Sequence, residues 1–371
     1  MTTEGNLGSL FIHKLLFPRY RYHRERTDRM CLPLSLDFNP RSLVVDSSTS
    51  YSLASDNPSP SLDAIFIPFR NRPEYVSELL KILPENETPI FLLPSTSLDL
   101  DLVKIGRRRH VEALFMDNPD FIAMLHGLRC SSNRLCMSYF VEWDLPAKRN
   151  YALWYARKHR LNRIMLLDDD IRDLHPTAFL AGANALQDFI VSGFFVDDFP
   201  DTSAIGHAEI ELGESVSTFL SGSCLFARTD EDVGFFPPIY NEDWLFMVPH
   251  IARGRVCSLG RVYQKSYDPF ANPDVALFQE FGEIIADSLF ALVASNRYPE
   301  RLNPRVWRKL LNLRRDWLME LSNRASDNRH RSIIEVAQTK CAEITEADCV
   351  RFMSDWESDR KQWDQTLQEL R

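Results

Sequence analysis

From residue 64 to residue 167 short apolar runs alternate with helical patterns, and that alternation constrains the fold more tightly than any other feature. "AIFIPF" (64–69), "PIFLLP" (89–94), "VEALFM" (111–116) and the apolar part of "RIMLLDDD" (163–170) each read as a buried strand. "RPEYVSELLKILP" follows the first of them. Pro73 suits a first helical turn, and Val76, Leu79, Leu80 and Leu83 fall on one helical face. "PAKRNYALWYARKHR" (146–160) is a second helix, with Pro146 near its start, and it feeds the strand that ends in three aspartates. Strand–helix–strand alternation with short connections predicts an α/β fold: a largely parallel sheet covered on both faces.

The polar residues collect where these elements end. In "MLLDDDI" (165–171) three carboxylates follow an apolar strand without a spacer. Asp is an ordinary loop residue, so a solvated strand end would account for it. A divalent cation would also account for it, because hard cations take carboxylate oxygens. If the strand stays extended through the triplet, Asp168 and Asp170 share a face and Asp169 points away. Ligands of open α/β sheets bind beyond the carboxyl ends of the strands, where the triplet sits. "IPFRNRPE" (67–74) ends its strand on Arg70, Asn71 and Arg72. "PAKRNYALW" places Lys148, Arg149 and Asn150 in the first turn of a helix, an end whose free N–H groups suit a diphosphate. Surface charge is the plainer account of each. "FLSGSCLFAR" (219–228) is a strand with small residues at Ser221, Gly222 and Ser223, where a ligand can approach the backbone. "YNEDWLFM" (240–247) sets Asn241, Glu242 and Asp243 before an apolar-aromatic helix. Acids there are stabilising without any catalytic role.

Taken in order, strand-PxRNRP-helix, KRNxAxxxA, apolar-DDD, SGSxxFxR and NED before an aromatic resemble the GT-A-fold glycosyltransferases, nearest in style to the family-2-like inverting enzymes. The resemblance covers roughly residues 62–270. It implies a Rossmann-like, mostly parallel mixed sheet covered by helices, and transfer of a sugar from a nucleoside-diphosphate sugar to an acceptor hydroxyl. It implies that Pro68, Arg70, Asn71 and Arg72 lie along the nucleotide, with Lys148, Arg149 and Asn150 beside it and its diphosphate. Asp168 and Asp170 would be the DxD pair that holds Mn²⁺ or Mg²⁺, Asp168 also touching the donor. Gly222 would lie beside the donor sugar. Glu242 and Asp243 match the ED motif, with Asp243 the general base of an inverting member. Two departures stand out. The second strand ends in "LLPSTS", without the acid that reads the base in many members, and Asp117 or Asn118 would substitute. No His follows the ED motif at the expected place; "GRVYQKSYDPF" (260–270) supplies Gln264, Lys265, Tyr267 and Asp268, of which Lys265 would face the diphosphate.

The flanks differ in character. Residues 1–60 are expected to be an N-terminal extension, part loop or linker, with a basic-aromatic stretch and a Ser/Pro-rich segment at 46–61. Residues 61–272 form the expected nucleotide-sugar-binding and catalytic domain, and 273–371 a helical C-terminal region. Thr345 and Asp348 have capping-box spacing, and Phe352, Trp356, Trp363, Leu367 and Leu370 make an apolar stripe. That stripe would pack on the protein's own core or form a homodimer. A formal net charge of −9 argues against nucleic acid as a partner, so the Arg-rich stretch at 297–331 reads as solvated helical faces. No apolar run is long enough for a transmembrane segment. Seven scattered cysteines, an odd count without a CxxC, fit a reducing compartment. His13 and Lys14 interrupt what would otherwise be a signal-like apolar run, so the expected location is cytoplasmic. One alternative is a sugar-nucleotide-binding module without chemistry. Another is a phosphohydrolase using Asp168 as nucleophile, which would want Thr or Val where Arg172 stands.

Overall fold

The computed structural model describes residues 44–47, 61–83, 88–96, 110–136, 144–197, 199–200, 202–214, 220–294, 298–299 and 302–370. The basic-aromatic stretch and nearly all of the Ser/Pro-rich segment lie outside them. The strands are β1 (Val45–Asp46), β2 (Ala64–Phe69), β3 (Ile90–Pro94), β4 (Val111–Ala113), β5 (Arg163–Leu167), β6 (Ile171–Arg172), β7 (Val191–Asp197), β8 (Leu220–Arg228) and β9 (Val256–Gln264). The helices are α1 (Pro73–Ile82), α2 (Pro119–Gly127), α3 (Leu145–Lys158), α4 (Pro176–Ala185), α5 (Ala204–Glu211), α6 (Glu242–Ile251), α7 (Val275–Ala294), α8 (Pro304–Arg324), α9 (Asn328–Glu343) and α10 (Glu346–Glu369). The chain divides into two compact units. Among the described residues, a sheet unit takes those within 44–200, 220–267 and 352–370, and a helical unit those within 202–214 and 268–351.

In the sheet unit the strand order is β1-β9-β7-β8-β5-β2-β3-β4, with β6 paired to β9. The pairs β1–β9, β7–β9, β2–β5, β2–β3 and β3–β4 are parallel. β8 runs antiparallel to both β5 and β7, and β6 antiparallel to β9. The result is a mixed, mostly parallel sheet flanked by helices. Every residue of β2 is buried, as a central strand covered on both faces requires. Ile65, Ile67 and Phe69 point to one face and pack with Val76, Leu79 and Leu80 of α1 and Phe179 and Ala183 of α4. Phe66 points to the other, where it stacks on Phe91 at 5.1 Å between centroids and meets Tyr155 of α3.

Two features of this topology bring the polar strand ends together. The order changes direction at β2, which has β3 on one side and β5 on the other, and that is where open α/β sheets form a ligand crevice. Because β8 is reversed, its beginning lies at the carboxyl end of β5: Leu167 is opposite Cys224, and the Asp168 N–H donates to Ser223 O at 2.8 Å. β4 ends at Ala113, earlier than the apolar run "VEALFM" suggests.

The helical unit contains α5, α7, α8, α9 and the start of α10. Ser203, Asn303 and Asp327 cap α5, α8 and α9 through their side-chain oxygens. Arg314 is buried and forks onto Glu280 at 2.8 and 2.9 Å. Thr345 and Asp348 close a reciprocal cap, with the Thr345 N–H and hydroxyl donating to Asp348 Oδ2 and the Asp348 N–H donating back to Thr345 Oγ1. No helix among the described residues is long and apolar enough to cross a membrane.

The rest of α10, from Phe352 on, belongs to the sheet unit, and there its stripe is consumed within the chain. Phe352, Trp356, Trp363 and Leu367 are buried, and Trp363 lies 5.8 Å from the Phe235 ring. Asp359, fully buried, accepts the N–H groups of Arg129 at 2.9 Å and Cys130 at 2.8 Å. Asp359→Ala takes the acceptor from both donors, the Cys130 N–H buried and the Arg129 N–H partly so, and the buried one left unpaired costs about 1–3 kcal/mol. Urea unfolding of this variant is expected to show a clear fall in midpoint. An unchanged midpoint would mean that water replaces the carboxylate without loss.

Candidate functional site

Four chain segments meet at the carboxyl ends of β2 and β5. β5 stops at Leu167 and Asp168–Asp170 form a turn, closed by the Ile171 N–H on Asp168 O at 3.4 Å. The triplet is therefore not the extended continuation expected from the sequence, because the chain must reverse to pair β6 with β9. Asp169 points inward and is buried, whereas the side chains of Asp168 and Asp170 stay partly exposed.

Two arginines compensate the triplet. Arg149 Nη2 donates to both oxygens of Asp168, at 3.1 and 2.9 Å, while its Nη1 donates to Glu242 Oε1 at 2.9 Å. Arg72 reaches Asp169 Oδ1 at 3.2 Å and Asp170 Oδ2 at 3.1 Å. Burial alone would weaken the charge on Arg149, but Asp168, Glu242 and Asp243 together hold its pKa above the usual guanidinium range. Burial pushes Asp169 up to about 8 against the pull of Arg72, and Glu242 up to about 8 against the pull of Arg149. Asp243 is raised for the same reason.

Glu242 and Asp243 open α6 behind Asn241, which adopts a left-handed conformation at φ 63°. Asn tolerates that region better than most residues, which gives the asparagine of "NED" a backbone reason. Asp243 is nearly fully buried. Its Oδ2 accepts the Gly222 N–H at 2.6 Å and its Oδ1 the Trp244 N–H at 2.8 Å. Gly222 is confined: a Cβ there would lie 2.5 Å from Arg149 Nη1 and 2.6 Å from Asp243 Cβ. Gly222→Ala must therefore push the arginine or the aspartate out of place. The expected results are a stability loss of about 1–3 kcal/mol in thermal unfolding and weaker binding of whatever occupies the crevice. An alanine variant as stable as the parent would show that the cluster yields freely.

The other expected residues take varied positions. α3 begins at Leu145, one residue earlier than expected, so Lys148 closes its first turn, with its N–H already bonded to Asp144 O, and Asn150 lies in the second. Lys148 is buried, and its ammonium donates to Phe69 O and Ser95 Oγ at 2.7 Å each and pairs with Asp144 at 3.2 Å. It thus ties the ends of β2 and β3 together. The Asn150 amide nitrogen donates to Phe236 O and its oxygen accepts the Phe236 N–H, both at 2.8 Å. Pro68 is buried inside β2 opposite Leu93. Arg70 is exposed just beyond β2, and Asn71 is left-handed at φ 54°, which turns the chain so that Arg72 meets the triplet. Lys265 joins Asp170 through its main chain, the N–H donating to Asp170 O at 2.9 Å. Its ammonium pairs with Glu78 and lies 3.6 Å from the Tyr75 ring centroid. Asp117 precedes the Asn118 cap of α2, after β4, two strands away from β2. Sequence reading missed the clamp of Arg72 on the triplet; the left-handed asparagine before it was the available signal.

The donor set fits a hard divalent cation in part. Five carboxylates (Asp168, Asp169, Asp170, Glu242 and Asp243) are grouped with two arginines, and Asp169 Oδ2 is buried without a hydrogen-bond partner. Among the described residues no three His, Cys, Asp or Glu side chains converge on one point. A cation here would therefore complete its shell from phosphate and water, as Mg²⁺ commonly does.

No protein-family model and no curated protein matches the chain. Among solved structures it is similar to a protein assigned as a nucleotide-diphospho-sugar transferase from Desulfovibrio desulfuricans G20, at 13% identity, covering 67% of this chain and 98% of that one, with a TM-score of 0.33. That overlap is too loose to bear on function.

Proposed function

We propose that the chain is a glycosyltransferase that moves a sugar from a nucleoside-diphosphate sugar to an acceptor hydroxyl, with inversion and with the help of Mn²⁺ or Mg²⁺. One observation carries the reading. Arg149 holds Asp168 and Glu242 at once while Gly222 closes on Asp243, so motifs far apart in the chain form one constellation. It lies at the crevice where an open α/β sheet binds nucleotides. The order of those motifs is that of the GT-A enzymes they resemble.

When bound, the metal would be held by Asp168 and Asp170 and would supply positive charge beside the departing diphosphate. The chain's own groups do the rest. Arg72 offers positive charge beside the triplet, and Lys265, whose ammonium is paired with Glu78, is held to Asp170 by its main chain. Gly222, lacking a side chain, leaves room for the arginine and the aspartate beside the donor sugar. Asp243 takes the proton of the acceptor hydroxyl as that oxygen bonds to the anomeric carbon. The bond from that carbon to the diphosphate oxygen breaks, and its electron pair leaves with the nucleotide. Burial favours the proton-accepting role, because it raises the affinity of Asp243 for a proton.

The test is release of nucleoside diphosphate from a panel of uridine, guanosine, adenosine and thymidine diphospho-sugars, with Mn²⁺ or with EDTA. Release from one base class that depends on the metal is the expected result. Absence of both turnover and binding across the panel would overturn the reading.

A further inference from the structure

The two arginines that neutralise the aspartate triplet are placed very differently. The Arg149 side chain is 3% exposed and joined to carboxylates through both of its terminal nitrogens. The Arg72 side chain is 44% exposed and lies against the face of Tyr75, with its Cζ 5.4 Å from the ring centroid. It occupies Asp170 Oδ2, an oxygen that a divalent cation at this crevice would need. Only the guanidinium end of this pair is open to solvent; the Asp169 and Asp170 side chains it meets are 2% and 16% exposed. A divalent cation brings twice the charge to the same carboxylate. A guanidinium set free beside it has the planar fork that matches phosphate oxygens.

The geometry points to Arg72 as an exchangeable counter-ion: a divalent cation takes Asp170 from it, and the released guanidinium then grips the diphosphate of the bound nucleotide. This rests on the proposed transferase reading and gives Arg72 a specific part in it. The local structure suits such an exchange. Asn71 in its left-handed turn fixes where the Arg72 backbone stands, so the side chain can change partner without moving β2 or α1. Tyr75 keeps a flat support beneath it. Asp169 is the other partner that Arg72 gives up, and its buried carboxyl then faces the cation that replaces the arginine.

Calorimetry on the full chain tests this with three proteins: the parent, Arg72→Ala, and Lys81→Ala, which removes one exposed positive charge from the end of α1. Mn²⁺ alone is titrated first. Arg72→Ala is expected to bind Mn²⁺ about fivefold more tightly than the parent, because its internal competitor is gone, and Lys81→Ala to match the parent. Inorganic pyrophosphate is then titrated at saturating Mn²⁺. Arg72→Ala is expected to lose about tenfold in affinity or more. The inference is overturned if Arg72→Ala binds Mn²⁺ no more tightly than the parent, if none of the proteins binds it, or if Lys81→Ala tightens equally. It is also overturned if pyrophosphate affinity is unchanged in Arg72→Ala. Failure of the transferase reading looks different: the parent would bind Mn²⁺ and pyrophosphate as described, yet take no nucleoside diphosphate from the panel.

Discussion

Arg149→Met is expected to destabilise the protein by about 3–5 kcal/mol, the largest single effect in the sheet unit. Methionine fills much of the same volume and keeps the contacts of the aliphatic stem. What it removes is the positive charge between Asp168 and Glu242, which the arginine meets at 2.9–3.1 Å. Glu242 and Asp243 are buried, and Asp243 adds to the same local field. Without the cation these acids must be protonated or hydrated, and either outcome opens the junction of β5, β8 and α6. Arg149→Lys restores one charge but not the fork, so it should recover only part of the loss. Chemical denaturation of the three proteins reads this directly. A methionine variant within about 1 kcal/mol of the parent would show that the acids are accommodated without the arginine.

Asp243→Asn is expected to lower transfer by at least about a hundredfold while leaving donor nucleotide bound. The structure changes how that variant must be read. Asp243 accepts two main-chain N–H groups, one on each oxygen. An asparagine amide has a single acceptor oxygen, so its NH₂ group would face one of those donors. A stability loss of about 1–3 kcal/mol should accompany the loss of rate. Turnover must therefore be compared at a temperature where both proteins are folded, beside nucleotide affinity. Glu242→Gln keeps a carbonyl oxygen for Arg149 and should cost less in turnover. If Asp243→Asn, shown to be folded, turns over like the parent while Glu242→Gln is inactive, the two acids have exchanged roles. If both remain active, no acid at this motif serves as the base.

Much of this arrangement can be read from local sequence. The strand ends at Phe69 and Leu167 are marked by the change from apolar runs to arginines and aspartates, and Pro73 and the Thr345–Asp348 pair announce helix starts. The largely parallel sheet follows from the alternation before residue 167. The reversal of β8 does not follow, because "LSGSCLFAR" is equally apolar in either direction, and only its pairing with β5 and β7 sets its sense. That reversal is what brings Gly222 to Asp168 and Asp243. Nor can local patterns show that Asn150 is bonded to Phe236, or that Asp359 braces the backbone at Arg129. Those bonds join residues 86 and 230 positions apart and depend on how whole elements dock. The turn at Asp168–Asp170 was hidden for a related reason. Extended geometry is the natural reading of an apolar strand, until a short β6 must fold back onto β9.

The central claim is that the crevice beyond β2 and β5 binds a nucleoside diphosphate. Thermal unfolding of the full chain with each common nucleoside diphosphate, with and without Mn²⁺, tests it most directly. One base is expected to stand out. At a hundred times its dissociation constant it should stabilise the parent by about 2.7 kcal/mol, and it should do markedly less for Gly222→Ala. No stabilisation by any nucleotide, or equal stabilisation of the parent and Gly222→Ala, would contradict the claim.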